Sequence, residues 1–434
     1  MTHKKEYHKW KTLQHFMKLF SFTYIGIITD KIPKTICALV GGGLMIYFHH
    51  VTQDMAIKEF IDFNTLGLLA GMMILISIVK QSGFFEAMAL WAVKKSRGRA
   101  KSLLVLLSVI TGVGAALIDS VTAALLIAPM TVSICRMVKI TPMPILISEV
   151  LMSNIGGTAL MIGNPPNVMI GSAAKLEFMQ FFVNLAPVVL LTMAITISVI
   201  LFVYRDTLHS RELTERELDA IRIRSAIRDI KSMKRSLAAL ALTVFGFVVH
   251  SSFGLQSATI AMTGAIIAIV ACGSDSEEAL KEIDMNTLLF FMGLFILVGG
   301  LETAGVIKAM AEQGIALVNG DIKVMTFVIL ILSGIASAFV DNIPFTATMI
   351  SLLQDMQNMM GAQANYLWWS LALGACFGGN GTLIGASPNV IIMAEAARSG
   401  YNISFVRFMK TCFPIMLLTL LISGIYLYLR YFLW

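Results

Sequence analysis

Charge is scarce in this chain. Of its 434 residues, 14% are Asp, Glu, Lys or Arg, where an average soluble domain carries roughly a quarter. That deficit excludes a string of soluble domains and excludes an intrinsically disordered chain, which needs high charge to stay solvated. Cysteine is nearly as sparse. Cys37, Cys135, Cys272, Cys376 and Cys412 lie scattered in apolar segments, without a CxxC pair or a histidine-spaced zinc pattern, so a disulfide scaffold and a zinc site both drop out. Thiols so placed behave as small hydrophobes. No GxxxxGK[ST] occurs, which removes ATP hydrolysis by a P-loop, and no HExxH occurs among the seven histidines, which removes the zincin pattern. What remains is apolar: 57% of the residues are hydrophobic and the mean hydropathy is +0.80. Such a composition describes an all-α polytopic membrane protein whose outer face meets lipid. The net charge of +7 points to basic cytoplasmic loops and not to nucleic acid.

The chain is written twice. Residues 61–66 read IDFNTL and residues 283–288 read IDMNTL. TGVGAALIDS at 111–120 answers SGIASAFVDN at 333–342, and GGTALMIGNPPNVMI at 156–170 answers GGNGTLIGASPNVII at 378–392. All three pairs share one offset of 222, so a gap-free register spans about 110 residues, and a fixed period of this kind marks a duplicated fold. Near the end of each copy the offset becomes 227, where Phe178–Pro187 matches Phe405–Pro414.

Each copy divides into about five spans, one hairpin and one Gly/Pro-broken helix, given that a bilayer crossing takes about 20 apolar residues. Spans are expected near 13–29, 34–49, 63–81 and 181–204, with a short amphipathic piece over Gly83–Val93. The first repeat covers 1–204, with its hairpin at 102–138 and its broken helix at 144–174. The second covers 236–434, with its hairpin at 324–360 and its broken helix at 366–397. A polar segment, 205–235, holds nine basic and six acidic residues and reads as a solvated cytoplasmic linker. Met1–Lys18, basic and carrying Trp10 and Phe16, lacks a signal-peptide cleavage pattern and reads as a retained interfacial segment. Lys94, Lys95, Arg97, Arg99 and Lys101 precede the first hairpin, and Arg136 and Lys139 follow it. Both ends therefore face the cytoplasm, which makes that hairpin re-entrant. Its counterpart has no Lys or Arg from Val324 to Ala397 and is expected to enter from the opposite face. Two copies with opposite loop charge are the pattern of inverted-topology repeats. Counting spans back from the first hairpin puts the basic N-terminus outside, which conflicts with the positive-inside tendency.

Chemistry concentrates at four places. Asp119 and Asp341 each lie mid-way along an apolar run, where an acid is costly and by default marks an ion path or proton relay. Each also stands where it can cap the following helix. Beside them sit Ser120 and Asn342. The two broken helices free backbone groups that lipid cannot satisfy, so they must line a cavity or be buried in protein. Asn154, Gly156, Gly157, Thr158, Asn164 and Asn167 in the first, with Gly379, Asn380, Thr382, Ser387 and Asn389 in the second, supply neutral donors, acceptors and close backbone approach for a substrate. Asp62 and Asp284 begin apolar helices and read as caps, while Glu149, Glu302 and Glu395 lie near span ends and read as interfacial or structural. No catalytic residue, metal site or cofactor is expected. An intramembrane aspartyl protease would want a GxGD context, absent at both aspartates, and a channel would want a continuous polar path instead of two gated half-sites.

SNIGGTA at 153–159, IGNPPNV at 162–168, DNIPFTATMI at 341–350 and GGNGTLIGAS at 378–387 resemble the ion transporter superfamily, in the group that joins ArsB arsenite permeases, NhaD-type sodium/proton antiporters and the melanosomal P protein. The likeness runs over nearly the whole chain. It implies an elevator-type carrier of the inner membrane with a scaffold part, a mobile part and often a homodimer. Two departures matter. The broken-helix motif in that group usually reads IGDPPN, and here Asn164 replaces the acid, which weakens the case for sodium. Dicarboxylate carriers of the superfamily carry Ser-Asn-Thr at the hairpin tips, where this chain has Ile118-Asp119-Ser120 and Val340-Asp341-Asn342, which argues against di- and tricarboxylates. The resulting expectation is proton-coupled export of arsenite or antimonite as the neutral trihydroxide. Sodium/proton antiport is the alternative, and a cytoplasmic ATPase partner is left open.

Overall fold

The computed structural model describes residues 17–27, 32–209, 212–273 and 276–433. Residues 1–16 of the expected interfacial segment lie outside the described residues. Among those described, all regular structure is helical, and eight helices are long and apolar enough to cross a bilayer. In the first half these are α1 Met17–Ile27, α2 Lys34–Tyr47, α3 Phe63–Gln81, α4 Phe84–Ser96, α5 Ala100–Leu117, α6 Ser120–Met137, α7 Met143–Gly157, α8 Pro165–Ala173 and α9 Phe178–Val203. The second half carries α10 Ile230–Val249, α11 Ser257–Cys272, α12 Met285–Thr303, α13 Val306–Leu317, α14 Ile322–Phe339, α15 Asn342–Met360, α16 Asn365–Gly378, α17 Ser387–Arg398 and α18 Phe405–Tyr431. The starts of α3 and α12, of α5 and α14, of α6 and α15, and of α8 and α17 are all 222 residues apart.

Local chemistry sets these boundaries. Asp62 accepts from the amides of Asn64 and Thr65 at 3.0 and 3.1 Å, and Asp284 accepts from Thr287 at 3.2 Å, so both acids cap their helices and satisfy amides that have no partner within the helix. Gly83 and Gly305 adopt φ of 82° and 72°, a left-handed backbone that glycine takes without strain, and separate α3 from α4 and α12 from α13. Each hairpin arm α5, α6 and α14 has 18 residues, about 27 Å by helical rise. The tips at Asp119 and Asp341 therefore lie a full helix length from the open ends.

Packing is reciprocal between halves. Helix α2 packs on α12, and α11 on α3. The first hairpin arm packs on its own broken helix, α5 on α7 and α14 on α16. The second arm packs on the other half's broken helix, α6 on α17 and α15 on α8. A twofold relation between the halves requires this exchange, and it interleaves them into one body. Residues 205–229 run across the base of the first half. Leu213 N donates to Arg97 O at 2.9 Å and Arg228 N to Ser82 O at 3.1 Å, Arg99 pairs with Glu212 at 2.8 Å, and Leu218 and Ile221 are buried. The expected linker thus ends earlier than 235, because Asp229 caps α10 through Lys231 N and Ser232 N.

Candidate functional site

The breaks are held by a matched pair of asparagines. Helix α7 stops at Gly157, a single 3-10 turn spans Met161–Gly163, Asn164 is extended, and Pro165 opens α8. Proline suits that first helical position because its missing N–H would be unpaired there anyway. The carbonyls freed by the break cannot be left bare at membrane depth. Asn167 Nδ2 donates to Thr158 O and Leu160 O at 3.0 and 3.1 Å. In the second half Asn389 Nδ2 donates to Gly379 O and Thr382 O at 2.7 and 2.8 Å. Thr158 Oγ1 turns back to Asn154 O at 2.8 Å, and Thr382 Oγ1 donates to Ala338 O. Gly156 lies against the backbone of Gly112, and Gly378 against that of Gly334, so close backbone approach in each half needs glycine. Gly157 and Gly379 likewise face the backbone of Gly163 and Gly385.

One residue ties the two breaks together. Asn154 Nδ2 donates to Asn380 Oδ1 and Asn389 Oδ1, both at 2.9 Å. Across the layer, the Cys376 thiol lies 3.6 Å from Asn167 Oδ1. Asn154, Thr158, Asn167, Asn380, Thr382 and Asn389 are fully buried, and they form a closed amide layer between the halves. Ser120 Oγ, Asn154 Oδ1, Asn164 Nδ2 and Asn380 Nδ2 have no hydrogen-bond partner among the described residues, which leaves buried polar capacity at the centre of the layer.

The two acids stand in unlike surroundings. Asp119 Oδ1 accepts from Val121 N and Thr122 N at 2.7 and 2.9 Å, capping α6 at a backbone φ of 154°, a conformation ordinarily left to glycine and concentrated at functional sites. It lines a cavity of about 380 Å³ together with Pro165, Ile343, Ser387, Lys80, Glu282 and Asp284. Residues from both halves meet there, and the cavity reaches the Lys80 end of α3, beside the linker. Asp341 is 9% exposed, accepts from Ile343 N at 3.1 Å, and pairs with Lys34 Nζ at 2.6 Å. Its pocket, about 40 Å³, shares Ser387 with the larger cavity. Asn342 N donates to Gly385 O at 3.2 Å, which fastens this tip to the second break.

A third cavity, about 440 Å³, opens at the other end of α3 around Glu59, Asp62 and Glu302 and extends to Ala347 and Ile350; Asp341 does not line it. It is the counterpart of the first: Glu302 stands 222 residues after Lys80, and Asp62 222 before Asp284. The sequence reading did not single out Lys34 or Tyr24, whose hydroxyl donates to Pro344 O. The one available signal was a lone lysine opening an apolar span. Glu149 also differs from its expected place near a span end. It is fully buried inside α7 and accepts from the Thr131 hydroxyl.

A helical body with eight apolar spans, two acid-tipped hairpins and two interrupted helices that converge on shared cavities is that of a multi-pass membrane transporter. Residues 24–374 match the CitMHS family model, described as citrate transporter, and the chain belongs to that family. It is 36% identical to an uncharacterized transporter of Mycobacterium bovis over 95% of this chain and 97% of that one. It is also 34% identical to the 46 kDa membrane protein of Mycobacterium leprae, over 95% and 97%. The mouse P protein is 32% identical over 93% of this chain and 58% of its own length. Among solved structures, the YdaH transporter of Alcanivorax borkumensis superposes with a TM-score of 0.63 at 14% identity, covering 89% of this chain and 88% of that one. MtrF of Neisseria gonorrhoeae, described among antimetabolite efflux pumps, gives 0.59 at 12% identity, over 97% and 95%. These two share the fold. None of the proteins named here carries arsenite in its name.

Proposed function

We propose that the chain is a proton-coupled secondary carrier that exports a small uncharged polyhydroxy solute, with arsenite or antimonite trihydroxide as the leading case. The observation that carries this reading is Asp119. It is a carboxylate at a hairpin tip, facing a cavity that draws residues from both halves and reaches the linker end of the bundle. An acid at such depth suits proton exchange. The charged lining is Asp119, Glu282 and Asp284 against Lys80, and Lys80 is already paired with Glu282 at 3.3 Å. A tricarboxylate would meet a wall of its own sign, whereas a neutral trihydroxide or a cation would not. In this reading Ser387 and the unpartnered amides of Asn164 and Asn380, with Ser120, serve the hydroxyls, and Asp119 and Asp341 are the coupling carboxylates.

Two counterpart cavities at opposite ends of α3, of which one contains a coupling acid, fit alternating access with the linker end open. The inverted relation of the halves, an elevator displacement of hairpins and broken helices against α2, α3, α11 and α12, and a homodimer belong to the same proposal. A sodium/proton antiporter is the second reading, favoured by the acidic cavity, with the carboxylates as cation ligands. Proteoliposomes under an imposed pH gradient separate them. Arsenite added to the wild type dissipates the gradient if the first reading holds, and Asp119→Asn and Asp341→Asn abolish that flux at normal expression. Dissipation by sodium alone establishes the second, and normal flux in either variant removes that acid from the mechanism.

A further inference from the structure

The two tip acids occupy equivalent positions in the repeat, yet only one has a fixed counter-ion. Lys34 Nζ stands 2.6 Å from Asp341 Oδ2, with the lysine 30% and the aspartate 9% exposed. Tyr24 clamps the same tip, donating to Pro344 O and sharing a 2.7 Å hydrogen bond with Thr348 Oγ1. Both clamping residues come from α1 and α2, outside the hairpin. The positions 222 residues later are Gly246 and Gln256, which can supply neither a charge nor a phenol. Asp119 is accordingly held by backbone amides, and no ion pair reaches it among the described residues.

Resting on the transport reading above, we infer that Lys34 is a tethered cation that fills the second carboxylate site, so that in this conformation only Asp119 is open to a proton or ion from solution. An ammonium at hydrogen-bond distance already supplies the charge an incoming cation would bring, and a second cation there would meet like-charge repulsion. Lys34 rides on α2, which packs on α12, while Asp341 rides on the second hairpin. Any displacement of that hairpin against α2 parts the pair, and Asp341, exposed without its lysine, must then take up a proton or cation. The duplicated acids thereby act in sequence and not in parallel. The titratable groups that face Asp341 are Lys34 from α2 and Tyr24 from α1.

Infrared spectroscopy of the purified full chain in sodium-free liposomes near neutral pH tests this through the carboxylic-acid C=O band. Asp341→Asn should leave that band unchanged, because a lysine-paired aspartate is ionised and contributes nothing to it; loss of intensity overturns the inference. This comparison uses the wild-type Lys34 and stands even if lysine variants fold poorly. Lys34→Gln should gain the intensity of one carboxylic acid, Lys34→Arg should match the wild type, and the gain should vanish in Lys34→Gln/Asp341→Asn. No gain in a folded Lys34→Gln overturns the inference. If the spectra behave as expected while Asp119→Asn transports normally, the transport reading fails and the ion pair stands.

Discussion

Asn154→Asp tests whether the two halves are joined by a single amide. The hydrogen-bond assignment here is forced by its surroundings. Asn389 faces Gly379 O and Thr382 O at 2.7 and 2.8 Å, and carbonyls cannot donate, so its Nδ2 must point at them and its Oδ1 toward Asn154. Asn154 must therefore present its NH2, which it shares between Asn389 and Asn380 at 2.9 Å each. A carboxylic acid in its place donates at most one of the two bonds, and a carboxylate donates neither. Interhelical hydrogen bonds in membrane bundles are worth about 0.6 to 1.7 kcal/mol each, so losing both costs about 1 to 3 kcal/mol. An acceptor stranded in the dry layer adds about 1 to 3 kcal/mol. A total of about 2 to 6 kcal/mol is a large share of a stability on the order of 5 to 15 kcal/mol. Reversible denaturant unfolding of the detergent-solubilised protein, with Asn154→Gln and Asn154→Leu alongside, measures this. The expected order is wild type, then Asn154→Leu, then Asn154→Asp, because leucine removes the donor without bringing two oxygens against two others. An Asn154→Asp variant within about 1 kcal/mol of wild type, inside the scatter of ordinary substitutions, would refute the layer as the joint between halves.

Other outcomes follow from the same geometry. Gly378→Ala places a methyl 2.8 Å from Gly334 Cα, and Gly156→Ala presses on Gly112 in the same way; overpacking of this kind costs about 1 to 3 kcal/mol. Gly43→Ala, where nothing lies within 4 Å, should be neutral or stabilising by about 0.5 to 1 kcal/mol. Equal thermal midpoints for Gly43→Ala and Gly378→Ala would show that the backbone contact is not tight. At the linker, the amides of Ser232 and Lys231 hold the Asp229 carboxyl below its ordinary range. Because the folded-state value is depressed, the cap is fully in place above the ordinary aspartate range and weakens as pH falls toward the depressed value. Amide exchange in the first turn of α10 should therefore quicken on acidification, and Asp229→Asn should remove that dependence. An unchanged pH dependence in Asp229→Asn would assign it to another group.

Much of the architecture was legible because it is written in residue types whose physics is local. Asp62 and Asp284 cap helices wherever they precede an apolar run, since an aspartate oxygen reaches the next two or three amides regardless of the tertiary setting. Pro165 and Pro388 bar a helix from running through, whatever packs around it. The duplicated register carried those local rules from one half to the other. The site was legible only in part. Asn167 and Asn389 could be seen as polar groups at a break, but their partners are carbonyls that exist only once the chain has turned there. Lys34 was invisible because its partner lies 307 residues away, and no spacing rule links the two.

The sequence by itself therefore determined the class of molecule: scarcity of charge required lipid as the solvent for the outer surface, and the 222-residue period required two copies of one helical plan. Tertiary structure decided how the copies differ. A repeat makes Asp119 and Asp341 equivalent in the chain, but their ionic surroundings come from α1 and α2, whose counterparts carry Gly246 and Gln256 in place of Tyr24 and Lys34. Electrostatic environment is set by what is near in space, and for these two acids the fold brought a lysine to one and a cavity to the other.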